Sequence, residues 1–307
     1  MAYVLAVLAS GRRRGFTAGL LAEAAEGAAS VPGVEVEVVQ LTRYRFDACT
    51  SCFHCIRDDA HRCSLRDDMG RGGEGALFQK VLRANGLILG DPVHGWGPSA
   101  RAHVFFERLY PFTWSGELAG MPFASISCAS NQGMHRLANQ EICKWAFTKA
   151  LRHVGGLPVH TAYYEEARTQ ARQLGEATGR AALADAAGRR PLTDEECYLS
   201  YLDRPWSVLE PYLDNLTDGT FQLESSLVRR SLAAGTFHNS EAVELLHSAE
   251  VELGAALAER GCGRREEAAR RLVRASAYWT RATWLEFVEP RVVHASQPAA
   301  YRPLPGR

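Results

Sequence analysis

Lysine is nearly missing from this chain of 307 residues: only three of its 35 basic residues are lysines, and the rest are arginines. The codon composition of a genome can produce that bias, so it carries no functional inference. No apolar run approaches the ~20 residues that a membrane-spanning helix requires. Charges of one sign are not in excess either, since 35 acidic residues balance the basic ones. The sequence therefore predicts partners other than a membrane or a nucleic acid.

A secretory signal is also missing from the N-terminal segment MAYVLAVLASGRRRG. Its positive charges follow the apolar stretch instead of preceding it, and no small-residue cleavage site is evident. We interpret the apolar stretch as a first buried strand and expect a cytoplasmic protein.

Strand patterns alternate with helix patterns along the first half of the chain. The predicted strands are Tyr3–Ala9, Val34–Val39, Gly86–Gly90, Phe123–Cys128 and Leu157–Tyr163. The clearest predicted helices are Thr17–Ala29, with Thr17 as its N-cap, and His135–His153, closed by Gly155 and Gly156. This alternation predicts an α/β fold with a doubly wound, five-stranded parallel sheet of the flavodoxin type.

The second half of the chain shows no convincing strand between Arg189 and Pro290. Its helix patterns cover Thr193–Leu202, Trp206–Asn215, Thr220–Ala234, Ser240–Arg260 and Arg264–Val288. The turn at 261–263 is expected to join the last two helices as an antiparallel hairpin. We therefore predict a flavodoxin-like domain over residues 1–188 and an all-α region over residues 189–307.

The turn after the first predicted strand runs Ser-Gly-Arg-Arg-Arg-Gly-Phe-Thr, from Ser10 to Thr17. A phosphate needs several converging backbone N–H groups, and a helix N-terminus adds a favourable dipole. Ser10 and Thr17 can donate hydroxyl hydrogen bonds, and Arg12 or Arg14 can pair with the phosphate. Taken alone, the pattern fits a phosphate site or an exposed basic loop equally well.

Two more small, polar loops follow predicted buried strands. The loop over residues 91–100 is rich in glycine and proline, and His94 or Trp96 can stack on or flank a flat ring there. An equally weighted alternative makes Trp96 a domain-interface plug and His94 a surface residue. The loop over residues 127–133 follows the strand FASISC. Because strand ends of a parallel sheet meet at one edge, three such loops predict a pocket.

Four of the eight cysteines lie within fifteen residues, at Cys49, Cys52, Cys55 and Cys63. In a cytosolic chain such clusters favour a metal or redox site over disulfides. The compact spacing suits a 4Fe–4S cluster, whereas structural zinc sites usually use two well-separated cysteine pairs. Individually packed or reactive thiols are the remaining alternative.

Residues 1–165 resemble the NADPH-dependent FMN reductase family of the flavodoxin superfamily, and in particular its iron–sulfur flavoproteins. The motifs that carry the resemblance are ASGRRRGFTAGLL, FDACTSCFHC with CSLRDDM, and ANGLILGDPVHGWGPSARAHVFFERL. The helical half lies outside the resemblance.

The resemblance implies FMN as cofactor, held at three places. Ser10, Arg12, Gly15, Phe16 and Thr17 are expected at the phosphate; Pro92, Val93, His94, Gly95 and Trp96 at the isoalloxazine; Ser127, Asn131 and Gly133 on the third side. Cys49, Cys52, Cys55 and Cys63 match the family's cluster-binding motif. The resemblance also implies NAD(P)H as an electron donor and a homodimer or homotetramer with flavin near the subunit interface.

Four functions are consistent with these motifs. The leading hypothesis is an FMN-dependent oxidoreductase in which a 4Fe–4S cluster relays electrons to or from FMN and a small organic substrate reacts. His94 is its candidate proton donor, although it serves equally well as a ring-stacking wall. A second hypothesis is a non-enzymatic electron carrier or redox sensor that docks a protein partner. A third is an NAD(P)H-dependent FMN or quinone reductase without a cluster, and a zinc-stabilised binding protein is weaker still.

The helical region is expected to act as a substrate lid or a docking surface. Its aromatic residues are interpreted as core, which is usual at helical spacing. Acidic residues and His247 share a helix face near Glu244, but the Glu-x-x-His pair occurs only once, so we interpret that face as solvated and predict no metal there.

Overall fold

The structure is a computed structural model that describes residues 1–292. Two compact units make up the chain, one over Met1–Thr193 and the other beginning at Asp194. Its prolines predict an extended tail from Pro290 to Arg307, and the part of this tail after residue 292 lies outside the described residues. No helix in the described part is both long and apolar enough to cross a bilayer.

The first unit is built on a parallel sheet. Its strands are β1 (Ala2–Leu8), β2 (Val34–Gln40), β3 (Gly86–His94), β4 (Gly97–Pro98), β5 (Pro122–Ala129) and β6 (Arg152–His160). The order is β2-β1-β3-β5-β6, with every neighbouring pair parallel, and the two-residue β4 pairs antiparallel with the end of β3. The predicted five-stranded parallel sheet and its flavodoxin-like class are therefore confirmed, with β4 as an addition.

Helices cover both faces of the sheet. They are α1 (Phe16–Ala29), α2 (His54–Arg57), α3 (Ala76–Arg83), α4 (Ala100–Glu107), α5 (Tyr110–Ser115), α6 (His135–Thr148) and α7 (Tyr164–Asp185). Because side chains alternate along a strand, Val4 and Ala6 of β1 pack in the core with α1 and α7. Leu5 and Val7 face the opposite core, which receives α3 to α6.

Several predicted boundaries of the first unit were wrong. The helix expected to run to His153 ends at Thr148, and β6 begins at Arg152. Gly155 and Gly156 lie inside β6, where a Cβ on Gly156 would come within 2.3 Å of Asn139 Oδ1. Thr17 is also not an N-cap: Gly15 occupies that position in extended backbone, and no side chain caps the helix.

The second unit is helical over its described residues. Its helices are α8 (Asp194–Ser200), α9 (Leu209–Leu216), α10 (Leu227–Ala234), α11 (Ser240–Gly261), α12 (Arg265–Thr283) and α13 (Glu289–Val292), with a π-helical turn over Trp284–Val288 between the last two. The long helices α11 and α12 pack against each other as the predicted hairpin. The predicted helix from Thr220 starts only at Leu227, because Ser226 caps it there by accepting from the Arg229 N–H.

Candidate functional site

The turn between β1 and α1 is held open by hydrogen bonds of its own. Ser10 Oγ accepts from the backbone N–H of Arg12 at 3.2 Å, and the Ser10 carbonyl accepts from Gln40 Nε2 at 2.9 Å. Since no side chain caps α1, its first N–H groups are left for another acceptor. Such a terminus suits an anion. The sequence did not predict the role of Gln40, because this residue ends β2 and lies thirty residues after its partner Ser10.

The loop after β3 is a short antiparallel hairpin. Val93 pairs with Pro98 and His94 with Gly97, and the turn residues Gly95 and Trp96 both have positive φ, +56° and +68°. Positive φ at both central positions is what tight hairpin turns of this twist require. The turn therefore places Gly95 and Trp96 at the exposed tip of the hairpin.

The hairpin is closed at its base by a buried carboxyl. Asp91 is fully buried; its Oδ1 accepts from Ser99 Oγ at 2.5 Å and its Oδ2 from the Ser99 N–H at 3.0 Å. Burial raises the pKa of Asp91 to about 7, although the hydrogen bonds from Ser99 act in the opposite direction. Ser99 is also the N-cap of α4, so the hairpin and the helix share one anchor.

The residues predicted in the loop after β5 mainly stabilise the conformation of that loop. Ser127 is buried inside β5 and donates its hydroxyl to a backbone carbonyl at the start of α6 at 2.7 Å. The Asn131 carbonyl oxygen lies 3.0 Å from Nε2 of His160, at the end of β6. Gly133 has a φ of +86°. Cys128 and Ser130 are the residues of this segment that line the adjacent cavity.

These three loops surround one open cavity of about 770 Å³ at the carboxyl edge of the sheet. Of the predicted cofactor residues, it is lined by Ser10, Arg12, Gly15, Phe16, Thr17, Pro92, Val93 and His94. Gly95, Trp96, Ser127, Asn131 and Gly133 are not among its lining residues. Trp96 instead donates its indole N–H to Gln132 at 3.0 Å, which ties the hairpin tip to the third loop.

Aromatic and thiol groups complete the cavity wall. Tyr164, at the start of α7, meets the Phe16 ring edge-on with 5.0 Å between centroids. Burial raises the pKa of the Cys128 thiol, and a hydrogen bond with Thr17 partly offsets that rise. Tyr164 was not predicted because it belongs to no polar loop motif, whereas Cys128 lies in the predicted loop over residues 127–133 but was not assigned a role there.

A second cavity, of about 350 Å³, is lined by all four clustered cysteines. None of these cysteines forms a disulfide. Cys55 is buried, Cys52 is exposed, and Cys49 and Cys63 are intermediate. The four thiols therefore line one cavity, although they lie on an irregular loop with only the short helix α2 inside it.

Hydrogen-bond donors surround the sulfur atoms. Cys49 Sγ accepts from the Ser51 N–H at 3.4 Å, and Cys63 Sγ accepts from Arg108 Nη2 at 3.3 Å. A backbone hydrogen bond from His54 is the main cause that lowers the pKa of Cys52. Burial, followed by the neighbouring cysteines, raises the pKa of Cys55 to about 11.

Basic and aromatic groups form the opposite wall of the cysteine cavity. Lys149, Tyr110 and Arg108 line it together with Glu107. Burial lowers the pKa of Lys149 to about 8. Within residues 1–292, no three His, Cys, Asp or Glu side chains come close enough together to hold a single metal ion.

Known proteins are similar in sequence to the first unit of the chain. Residues 2–160 match the family described as NADPH-dependent FMN reductase, which confirms the predicted resemblance. An iron–sulfur flavoprotein of Methanocaldococcus jannaschii is 26% identical over 153 residues, which is 50% of this chain and 75% of the relative. An iron–sulfur flavoprotein of Archaeoglobus fulgidus is 29% identical over 120 residues, 39% of this chain. The matched segment spans about half, 51%, of that second relative.

Solved structures with weaker similarity include a flavone reductase, 19% identical with a TM-score of 0.45, covering 62% of this chain and 66% of that one. A flavodoxin, WrbA-like protein from Agrobacterium tumefaciens is 16% identical with a TM-score of 0.39, covering 60% and 99%. The family match extends over more than half of the chain. The chain therefore belongs to the NADPH-dependent FMN reductase family of flavin-dependent oxidoreductases.

Proposed function

We propose that the protein binds FMN in the cavity beside β1, β3 and β5, binds a 4Fe–4S cluster at its four clustered cysteines, and acts as an FMN-dependent oxidoreductase. The observation that carries this proposal is that one helix, α4, is anchored at its start to Asp91, next to Pro92 in the wall of the first cavity, and ends at the second cavity. Its N-cap Ser99 anchors the hairpin of the first cavity, and Glu107 and Arg108 line the second. Eight residues of helix span about 12 Å.

The first cavity fits the parts of FMN. The uncapped start of α1 offers N–H groups to a phosphate, and Arg12 or Arg14 adds charge. Pro92 and Val93 provide backbone and apolar surface for a flat ring. When bound, FMN supplies the one- and two-electron chemistry, while the chain binds, orients and shields it.

His94 is the proposed proton donor of this site. It ends β3, it is exposed, and it lines the cavity where the hairpin turns. An imidazole at that position can exchange protons with solvent on one side and with a bound molecule on the other. Gly95, Trp96, Asn131 and Gly133 are proposed to act through the shape of their loops, since they do not line the cavity.

The donor set of the second cavity suits a polynuclear cluster, because four thiols line it. A 4Fe–4S cube accepts one sulfur per iron from separated thiolates. The N–H donors to Cys49 and Cys63 stabilise negative charge on sulfur, which such a cluster requires. A bound cluster would supply one-electron transfer.

The remaining partners are also proposals. The family name supports NAD(P)H as electron donor, with a small organic molecule as the acceptor. The helical unit is proposed to serve as a substrate lid or a docking region. A cytoplasmic location and a homodimeric or homotetrameric assembly stay predictions.

One observation favours the alternative of an electron carrier for a protein partner. Cys52 is exposed, so a cluster at this loop would lie near the surface. Rapid oxidation by a redox protein, without turnover of quinones or nitro compounds, would support that alternative over a small-molecule reductase.

Binding of FMN and of riboflavin tests the proposed phosphate site. Replacing Arg12 by alanine should weaken FMN binding about 10- to 150-fold, because a charge-assisted hydrogen bond contributes about 1.5–3 kcal/mol. Riboflavin lacks the phosphate, so its affinity should not change. Arg180→Ala, on the exposed face of α7, is the matched control. Equal losses for both flavins, or no loss for either, would contradict the assignment of this turn to the phosphate.

A further inference from the structure

Arg108 is a fully buried arginine, 1% exposed, directly after α4. Its guanidinium makes a bidentate pair with Asp67, with Nη1 to Oδ2 at 2.6 Å and Nη2 to Oδ1 at 2.8 Å. Nη1 also donates to the Asp47 carbonyl at 2.8 Å, and Nη2 to Cys63 Sγ at 3.3 Å. One side chain therefore contacts the cysteine loop at three separate positions.

Those three positions bracket the cysteine cluster. Asp47 precedes Cys49 by two residues, and Asp67 follows Cys63 by four. A loop of this length is costly to order, because little regular structure lies inside it. A planar guanidinium can satisfy several acceptors at fixed angles, whereas a lysine ammonium is a single point of charge. Arg108 thus closes the loop at its base.

The Arg108–Asp67 ion pair is largely buried, with side-chain exposures of 1% and 15%. A buried charged pair of this kind contributes little net stability compared with apolar packing. It can instead specify one geometry of the surrounding chain.

The neighbouring residue reinforces this arrangement. Glu107 Oε2 accepts from the Cys49 N–H at 3.0 Å. The end of α4 therefore fixes both the first and the last cysteine of the cluster. The start of α4 is fixed to the hairpin through Ser99 and Asp91.

We propose that Arg108 is a positioning residue for the cysteine loop and a determinant of the reduction potential of the group bound there. This inference rests on the proposed cluster site. One-electron reduction adds a negative charge to the cluster and its sulfur ligands, and an N–H donor on Cys63 stabilises the reduced form more than the oxidised one. Arg108 therefore holds the midpoint potential higher than it would otherwise be.

The test compares Arg108→Gln, Arg108→Lys and the control Arg62→Gln. Arg62 also forms a bidentate pair on this loop, with Glu117, but donates no hydrogen bond to a sulfur atom in the structure. The cluster potential is measured by an anaerobic spectroelectrochemical titration. It should shift to more negative values in Arg108→Gln, shift less in Arg108→Lys, and stay at the wild-type value in Arg62→Gln.

Hydrogen exchange on iron-free protein provides a second readout. Amides over residues 46–67 should exchange roughly tenfold faster in both Arg108 variants than in wild type, because each loses the fork that closes the loop. An unchanged potential in Arg108→Gln with full iron content would overturn the role in the potential. Unchanged exchange over 46–67 would overturn the role in positioning.

The two proposals fail differently. If wild-type protein takes up no iron and sulfide, the proposed cluster is wrong, and the exchange experiment still decides whether Arg108 closes the loop. If wild type holds a cluster and the Arg108 variants match it in potential and exchange, only the inference about Arg108 is wrong.

Discussion

Changing Asp91 to asparagine should remove a pH dependence of the free energy of unfolding of the first unit, because that dependence arises from one buried carboxyl. Asp91 is 0% exposed, and its carboxyl oxygens accept hydrogen bonds from the hydroxyl and the N–H of Ser99. Its pKa is raised from the ordinary 3.8 to about 7, mainly by burial. Asparagine has the same shape and can keep both contacts with Ser99, so it mimics the protonated carboxyl.

The sign and size of the effect follow from linkage. The folded state binds the Asp91 proton more tightly than the unfolded state, so this contribution to stability is fully present below pH 3.8 and is lost as pH rises to about 7. With 1.36 kcal/mol per pKa unit, the loss between pH 5 and pH 8 is about 2–3 kcal/mol. That is a substantial part of the ~5–15 kcal/mol by which a typical domain is stable.

Hydrogen exchange of the β1 and β3 amides at several urea concentrations measures the free energy of unfolding of this unit without signal from the helical unit. The flavin-free protein is compared with Asp91→Asn between pH 5 and pH 8. Asp59→Asn, at an exposed aspartate, controls for the change of charge. The difference in the free energy of unfolding between wild type and Asp91→Asn should change by about 2–3 kcal/mol between pH 5 and pH 8. A difference that stays constant with pH would refute the argument.

Two further substitutions test the packing of the first unit and the cysteine site. A Cβ on Gly175 of α7 would lie 1.8 Å from the Ala24 carbonyl oxygen of α1. Gly175→Ala should therefore lower the free energy of unfolding by about 1–3 kcal/mol, whereas Gly188→Ala, where a Cβ meets open space, should change it little in the same urea titration. Cys52→Ser should lose iron and sulfide in metal assays while keeping FMN, and Cys262→Ser, at the turn of the helical hairpin, should keep both; equal iron content in the two variants would contradict the assignment.

Much of the first unit could be predicted from local pattern alone. Short apolar runs predicted β1, β3 and β5, and an alternation of apolar and charged residues predicted β2. The polar loops after β1, β3 and β5 do reach one edge of the sheet. The glycine pair at 155–156 misled the prediction because glycines both end helices and permit close approach. Here they lie in a strand that contacts Asn139 and Leu174, and no local pattern reveals those contacts.

The site was predictable as a set of loops but less so as a set of contacts. Gly95 and Trp96 were expected at the cavity, yet positive φ at both positions carries them to the hairpin tip. Arg108 was missed because its partners lie 41, 45 and 61 positions earlier in the chain. Side chains that act across such separations carry no periodic or motif signal, so only the structure identifies them.

An ultraviolet–visible spectrum with iron and sulfide assays, recorded on anaerobically purified protein, shows whether one chain holds both FMN and a 4Fe–4S cluster. We expect flavin peaks, a broad shoulder that dithionite bleaches, and about four irons per chain. Flavin without iron would contradict the proposed cluster, and no flavin even after reconstitution with FMN would contradict the proposed FMN site.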